Sequence, residues 1–410
     1  MDTSLLLIIT GSSAIAFYMA WSIGANDVAN SMSTAVGAKA ITFKQAVLIA
    51  GVLNLVGAVF VGSHVTDTVR KGIVDVTGIE SHILLLGFVA SLLAAAIWVT
   101  LSTWKEMPIS TTHSIIGALM GFGLIAGGTS AVIWTKIGSV VASWVLSPIS
   151  GCILAFIIFK IIVKLIFSKE KPVKSAKIVG PVIIGFTAFL IVSSLFLKTA
   201  LAENIGISDI ESLIFASLIS IIVGLIGIAL LRKIDDTKTE DYSTVEGIFR
   251  KLQIITSCYV AFAHGANDVA NAIGPVASIV PLAQGMDIGG TVEVPIPLLA
   301  LGGFGIAIGC MTWGRRVMKT VGGRITSLTN TRGFSVDFGA ATTVLIASKL
   351  GMPISTSHTV VGAVIGVGLA RGLEAIDLSV IKKIIISWLL TLPVAAGTSV
   401  AIFLILRAIF

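Results

Sequence analysis

Long uncharged apolar runs alternate with short polar breaks along this chain. Residues 82–103, 107–135, 212–231, 294–314 and 384–406 contain no Asp, Glu, Lys or Arg. Each is long enough for a helix that crosses a hydrocarbon core, which takes about 20 residues. With the weaker runs included, the pattern predicts helical segments near 5–23, 46–62, 82–103, 107–126, 137–167, 178–197, 211–231, 252–280, 294–314, 333–349, 351–370 and 384–409. The run at 333–349 is the weakest, because Asp337 and Lys349 bracket it closely. The expected fold is an all-α polytopic membrane protein with about twelve transmembrane helices.

Composition narrows the class further. Hydrophobic residues make up 55% of the 410 positions and charged residues 12%, against about 25% charge in a soluble domain. A soluble multidomain protein is thereby excluded. The 42 glycines suit helices that pack closely or break. Cys152, Cys258 and Cys310 lie in apolar runs without paired spacing, as small buried residues do. The first residues, MDTSLLLIIT, carry an acid where a signal peptide needs a basic region, so a retained first span is expected.

The net charge of +7 is distributed by topology. With twelve spans and the N-terminus outside, only Arg70, Lys71, Lys136, Lys198, Lys349 and Arg407 fall on the outer side, leaving 22 of the 28 basic residues inside or at its boundary. That asymmetry is the positive-inside pattern. It predicts both termini and 281–294 outside, with 232–251 and 315–332 inside. The basic excess then faces anionic lipid head groups rather than nucleic acid.

The chain is also duplicated. GANDVAN occurs at Gly24–Asn30 and again at Gly265–Asn271, and MPIST at Met107–Thr111 and Met352–Thr356. A hydroxyl and a histidine follow each MPIST (Thr112-His113, Ser357-His358), and Ser-Trp recurs at Ser143-Trp144 and Ser387-Trp388. The displacements are 241, 245 and 244 residues, so two homologous repeats are expected at 1–167 and 248–410, with two inserted spans at 168–247. Seven spans separate their starts. An odd number turns the second repeat over, giving inverted topology and a site near the bilayer midplane at the repeat interface.

Both motifs carry chemistry. An Asp in a membrane helix costs about 2.5–3.5 kcal/mol to insert. Asn26 and Asn30 lie four apart on one helical face, with Asp27 one position round. Gly24 and Gly265 are expected to permit local unwinding that frees carbonyl oxygens. Carboxylate, amides and carbonyls together form a hard oxygen set suited to Na⁺: Asp27 and Asn30 in one repeat, Asp268 and Asn271 in the other. A lone Asn would join helices as readily as bind a ligand; an Asp with two Asn, present twice, points to a ligand.

MPIST reads as a helix start, with Pro108 and Pro353 in the first turn. The hydroxyls of Ser110, Thr111, Thr112, Ser355, Thr356 and Ser357 fall where backbone N–H groups lack partners. Free N–H groups, hydroxyls and a positive helix end can hold an anion without a fixed cation. Simple N-capping is the plainer alternative. His113 and His358 could bind anion, move protons or bond a neighbouring helix. His264 stands where the first repeat has Ile23, outside the repeated core, and His64 and His82 fall in an outer loop. A hydrolytic triad of Ser110, His113 and Asp27 lacks a strained nucleophile turn, so no enzyme is expected.

Together, the paired GANDVAN and PIST-[TS]-H segments resemble the inorganic phosphate transporter (PiT) family over roughly 20–165 and 250–405. The resemblance implies twelve spans, inverted repeats, broken or re-entrant helices at the substrate site, and a homodimer. It also implies phosphate and coupling-ion sites built from Asn26, Asp27, Asn30, Ser110, Thr111, Thr112, Asn267, Asp268, Asn271, Ser355, Thr356 and Ser357. The expected activity is Na⁺-coupled phosphate import at the plasma membrane, with no cofactor besides the coupling ion. H⁺-coupled phosphate or sulfate transport and an anion channel are the alternatives.

Overall fold

The structure, a computed structural model, describes residues 3–62, 73–198, 205–234, 241–283, 294–349 and 354–410. It is helical throughout. Among the described residues there are thirteen α-helices, and the only β pairing is a single bridge between Val74 and Val132. In chain order they are α1 (Thr3–Gly37), α2 (Phe43–Val61), α3 (Ser81–Trp104), α4 (Thr111–Gly127), α5 (Trp134–Ile162), α6 (Pro172–Lys198) and α7 (Asp209–Arg232). Then follow α8 (Tyr242–Ala283), α9 (Ile296–Trp313), α10 (Arg315–Lys319), α11 (Asn330–Lys349), α12 (Thr356–Leu369) and α13 (Leu378–Ile409).

Each apolar segment expected from the sequence has a helix over most of its described length, although 107–110 is not helical and 351–353 lies outside the described residues. Among the described residues, eight are long and apolar enough to cross a membrane: α1, α2, α3, α5, α6, α7, α9 and α13. By contrast, α4 and α12 have only 17 and 14 residues, or about 25 and 21 Å at 1.5 Å per residue. Both are shorter than a hydrocarbon core of about 30 Å.

The start of α4 is set by the turn before it. Helix α3 stops at Trp104, and Glu106 adopts a left-handed conformation with φ of 61°. Arg324 pairs with its carboxylate and Thr320 donates to its carbonyl. Residues 107–110 then run without helix, with Pro108, Ile109 and Ser110 buried. Ser110 is the N-cap of α4, its Oγ accepting the His113 N–H at 3.2 Å, and Ser355 caps α12 through His358 N–H at 3.3 Å. Pro108 is therefore not in the first helical turn as the sequence suggested. Proline favours extended backbone just before it, and serine is the stronger N-cap. Met352 and Pro353, together with His64, lie outside the described residues, as do 284–293 and 235–240 of the two loops assigned from charge.

Unwinding at GANDVAN is also not observed. Both α1 and α8 run unbroken through the motif. Gly24 and Gly265 serve close packing instead: a Cβ at Gly24 would fall on the Ile306 backbone of α9, and one at Gly265 on the Asn54 backbone of α2.

These contacts are crosswise and matched. Helix α1 packs on α9 while α2 packs on α8, and α4 packs on α13 while α5 packs on α12. The match extends to single residues. Gly117 and Gly121 of α4 abut Leu392 and Ala396 of α13; Gly362 and Gly366 of α12 abut Pro148 and Cys152 of α5. Each partner set lies 244 or 245 positions from the other. Helices α6 and α7 pack chiefly on each other, and α7 leaves most of its apolar surface open.

Candidate functional site

The starts of the two short helices meet at one carboxylate. Asp27, on α1 and 1% exposed, accepts from Thr111 Oγ1 of α4 at 2.7 Å through Oδ2. Its Oδ1 accepts from Ser357 Oγ of α12 at 3.2 Å and from Asn30 Nδ2 at 3.0 Å. Asn30 also reaches Ser357 at 2.9 Å, and its counterpart Asn271 on α8 donates to Thr112 of α4 at 3.1 Å. These last two bonds are the same contact made from opposite sides. Two positive helix ends thus converge on a centre lined by hydroxyls and amides, which is a setting for an anion.

The remaining expected residues divide by what they touch. Ser110 and Ser355 cap their helices, each hydroxyl oxygen accepting a backbone N–H, which leaves the hydroxyl's own O–H as a donor. Asn26 holds the turn before α4, donating to Thr103 Oγ1 (2.9 Å) and the Met107 carbonyl (3.1 Å) and accepting from Ile109 N–H (3.2 Å). Asn267, Asp268 and Thr356 line a cavity of about 60 Å³ beside Asp27, together with Asn30, His264 and Asp337.

Two residues here were not singled out from the sequence. His264 Nε2 lies 2.8 Å from Asp268 Oδ2 and 3.7 Å from Asp27 Oδ2. Its Nδ1 donates to Asn54 Oδ1 at 2.5 Å, while the Asn54 amide donates to the Ala50 carbonyl. Asp27, His264 and Asp268 offer donor atoms within 4.8 Å of one another. The signal was present: His264 and Asp268 are four apart on one helix, where side chains meet. Comparison of the repeats hid it, because Ile23 occupies the matching place. The second residue is Asp337 on α11, 2% exposed. It accepts from Thr34 (2.7 Å), Ser257 (2.8 Å) and Thr256 (3.4 Å).

His113 and His358 meet edge to face with ring centroids 5.1 Å apart. Trp144 Nε1 donates to His113 Nδ1 at 3.2 Å, whereas Trp388 donates to the Pro108 carbonyl at 2.9 Å and stacks on His358. Both histidines thus join helices.

Helices of spanning length around a buried polar centre, reached by two short helices that start inside the protein, define a multi-pass membrane protein of transporter type. The comparisons make this specific: the chain belongs to the phosphate transporter family, which it matches over residues 23–399. It is 54% identical over 397 residues to a Pyrococcus horikoshii protein whose name proposes a phosphate permease, covering 96% of this chain and 97% of that one. It is 41% identical over 409 residues to the Arabidopsis thaliana protein named inorganic phosphate transporter 2-1, chloroplastic, covering 94% and 70%. A solved structure described as the sodium-dependent phosphate transporter superposes with a TM-score of 0.89 at 46% identity, covering 98% of this chain and all of the other.

Proposed function

We propose that this protein is a secondary-active symporter that imports inorganic phosphate together with Na⁺, by alternating access between two inverted repeats (1–167 and 248–410) separated by inserted spans (168–247). The observation that carries this reading is the single carboxylate of Asp27 held by hydroxyls from both short-helix starts. Phosphate would sit against the starts of α4 and α12, on Thr111, Thr112, Thr356 and Ser357. Na⁺ would sit on Asp27 and Asn30, and on Asp268 and Asn271. The matched crosswise packing of the repeats and the description of the structural neighbour support the same reading.

No Lys or Arg lies in either motif, so the carboxylates would repel phosphate unless a cation intervened. Importing a dianion against 100 mV, inside negative, costs about 4.6 kcal/mol. Two Na⁺ moving inward cancel that electrical work. Proton coupling is a second reading with one observation of its own, since His264 bridges Asp27 and Asp268. Uptake of radiolabelled phosphate into proteoliposomes, with Na⁺ and pH gradients imposed separately, decides between them. Full uptake in choline, driven by external acid, would select the proton.

Replacing Thr111 or Thr356 by Val keeps the side-chain shape and removes a hydroxyl. A hydrogen bond to a charged group contributes about 1.5–3 kcal/mol, so the apparent affinity for phosphate should fall about tenfold or more. Unchanged affinity in both variants would remove these hydroxyls from the site.

In this reading both termini lie outside a plasma membrane and the active form is a homodimer. The topology is checked with Cys152, Cys258 and Cys310 replaced by Ala. A cysteine at Ser130 should then react with an impermeant thiol reagent in right-side-out vesicles, and one at Glu170 should not. The reverse pattern would overturn the placement of both termini outside.

A further inference from the structure

A groove of about 520 Å³ lies between the C-terminal end of α3 and the first turns of α13, away from the central site. Its walls include Trp98, Leu101, Ile386 and Leu390, and its rim carries Lys105 and Lys383. Leu101, Ile386 and Leu390 are nearly half exposed, so the groove opens to the surroundings of the helices. Lys105 stacks on Trp104 with its ammonium 4.5 Å from the ring centroid. Neither lysine makes an ion pair among the described residues. Glu106, next to Lys105, pairs with Arg324, and Asp377 feels Lys383 only beyond ion-pair distance.

We infer that this groove binds an anionic phospholipid, with the head-group phosphate between Lys105 and Lys383 and an acyl chain along the apolar walls. Two observations favour a lipid over free phosphate. The two lysines line a groove whose other walls are mainly apolar. A tryptophan and a lysine share it, as at a membrane interface. Basic pockets between membrane helices on the cytoplasmic side recognise such head groups.

The groove also adjoins the turn before α4. Met107 lines it, and its carbonyl accepts from Asn26. Ser387 lines it as well, beside Trp388, which holds the Pro108 carbonyl. A lipid seated here therefore bridges α13 and the turn that sets the start of α4.

The test is native mass spectrometry of the full-length protein in detergent with added phosphatidylglycerol or phosphatidylcholine. The wild type should retain phosphatidylglycerol selectively. Lys105→Gln/Lys383→Gln should bind it roughly 25-fold more weakly, about fivefold per lysine. Lys105→Arg/Lys383→Arg and Lys169→Gln/Lys171→Gln should behave as the wild type, which separates a local site from general charge. Equal retention of both lipids, or undiminished retention in the Lys→Gln double variant, would overturn the inference. Stoichiometric displacement of the lipid by millimolar inorganic phosphate would overturn it too, by making this an anion site.

Discussion

Asp27→Asn is expected to lower sodium-driven phosphate uptake by about a hundredfold or more, while phosphate binding at saturating Na⁺ changes far less. Asparagine keeps the shape of the side chain and removes its charge. Two hydroxyls, Thr111 and Ser357, donate to this carboxylate. Each bond to a charged acceptor contributes about 1.5–3 kcal/mol, which sets the size of the effect. The split between uptake and binding has a separate origin. A carboxylate and a phosphate about 4 Å apart repel by about 4 kcal/mol per pair of unit charges at an effective dielectric of about 20. Removing the carboxylate relieves that repulsion and removes the cation that offset it, so the anion loses little and the coupling loses much. Radiolabelled Na⁺ and phosphate fluxes, measured in the same vesicles, give both quantities. An Asp27→Asn protein whose uptake still rises steeply with Na⁺ would take Asp27 out of the cation site.

Gly265→Val is expected to abolish the folded protein. The added Cβ would fall on the Asn54 backbone, which cannot rotate away as a side chain could, so α2 and α8 would have to separate. Overpacking of this kind costs about 1–3 kcal/mol where side chains can yield, and more where they cannot. Gly24→Val should fail for the matching reason against Ile306. Gly397→Ala is the control, because nothing lies within 4 Å of the position a Cβ would occupy. Size-exclusion profiles and thermal melts of the three variants are the measurement. A monodisperse Gly265→Val protein with a wild-type melt would show that this contact does not fix the α2–α8 crossing.

Much of this was legible in the chain because membrane burial writes a strong pattern. Uncharged runs located the helices, and the repeated motifs marked residues that the fold brings together: Asp27 with Thr111 and Ser357, and Asn271 with Thr112. The losses have physical causes. Hydropathy does not show how far a helix start lies from its proline, so Ser110 rather than Pro108 set the start of α4. The glycines were taken as points of unwinding because sequence does not reveal a facing backbone. Asp337 was noted only as a charge that weakens a span. Its acceptance from Thr34, Thr256 and Ser257 joins three helices and has no local signature. His264 was set aside because repeat comparison rewards likeness, and its position is one where the repeats differ.

The crosswise helix pairing bears on ancestry. In a dimer of two identical half-length chains, the contact of α1 with α9 and that of α8 with α2 would be one isologous interface seen from each side. The present chain makes both. Each half therefore supplies a surface that only the other half covers, and neither encloses a complete core alone. Divergence at such a seam is constrained in pairs: a bulkier residue at Gly24 needs room at Ile306, and one at Gly265 needs room at Asn54. The two sides differ where Ile23 in one half stands at the place of His264 in the other.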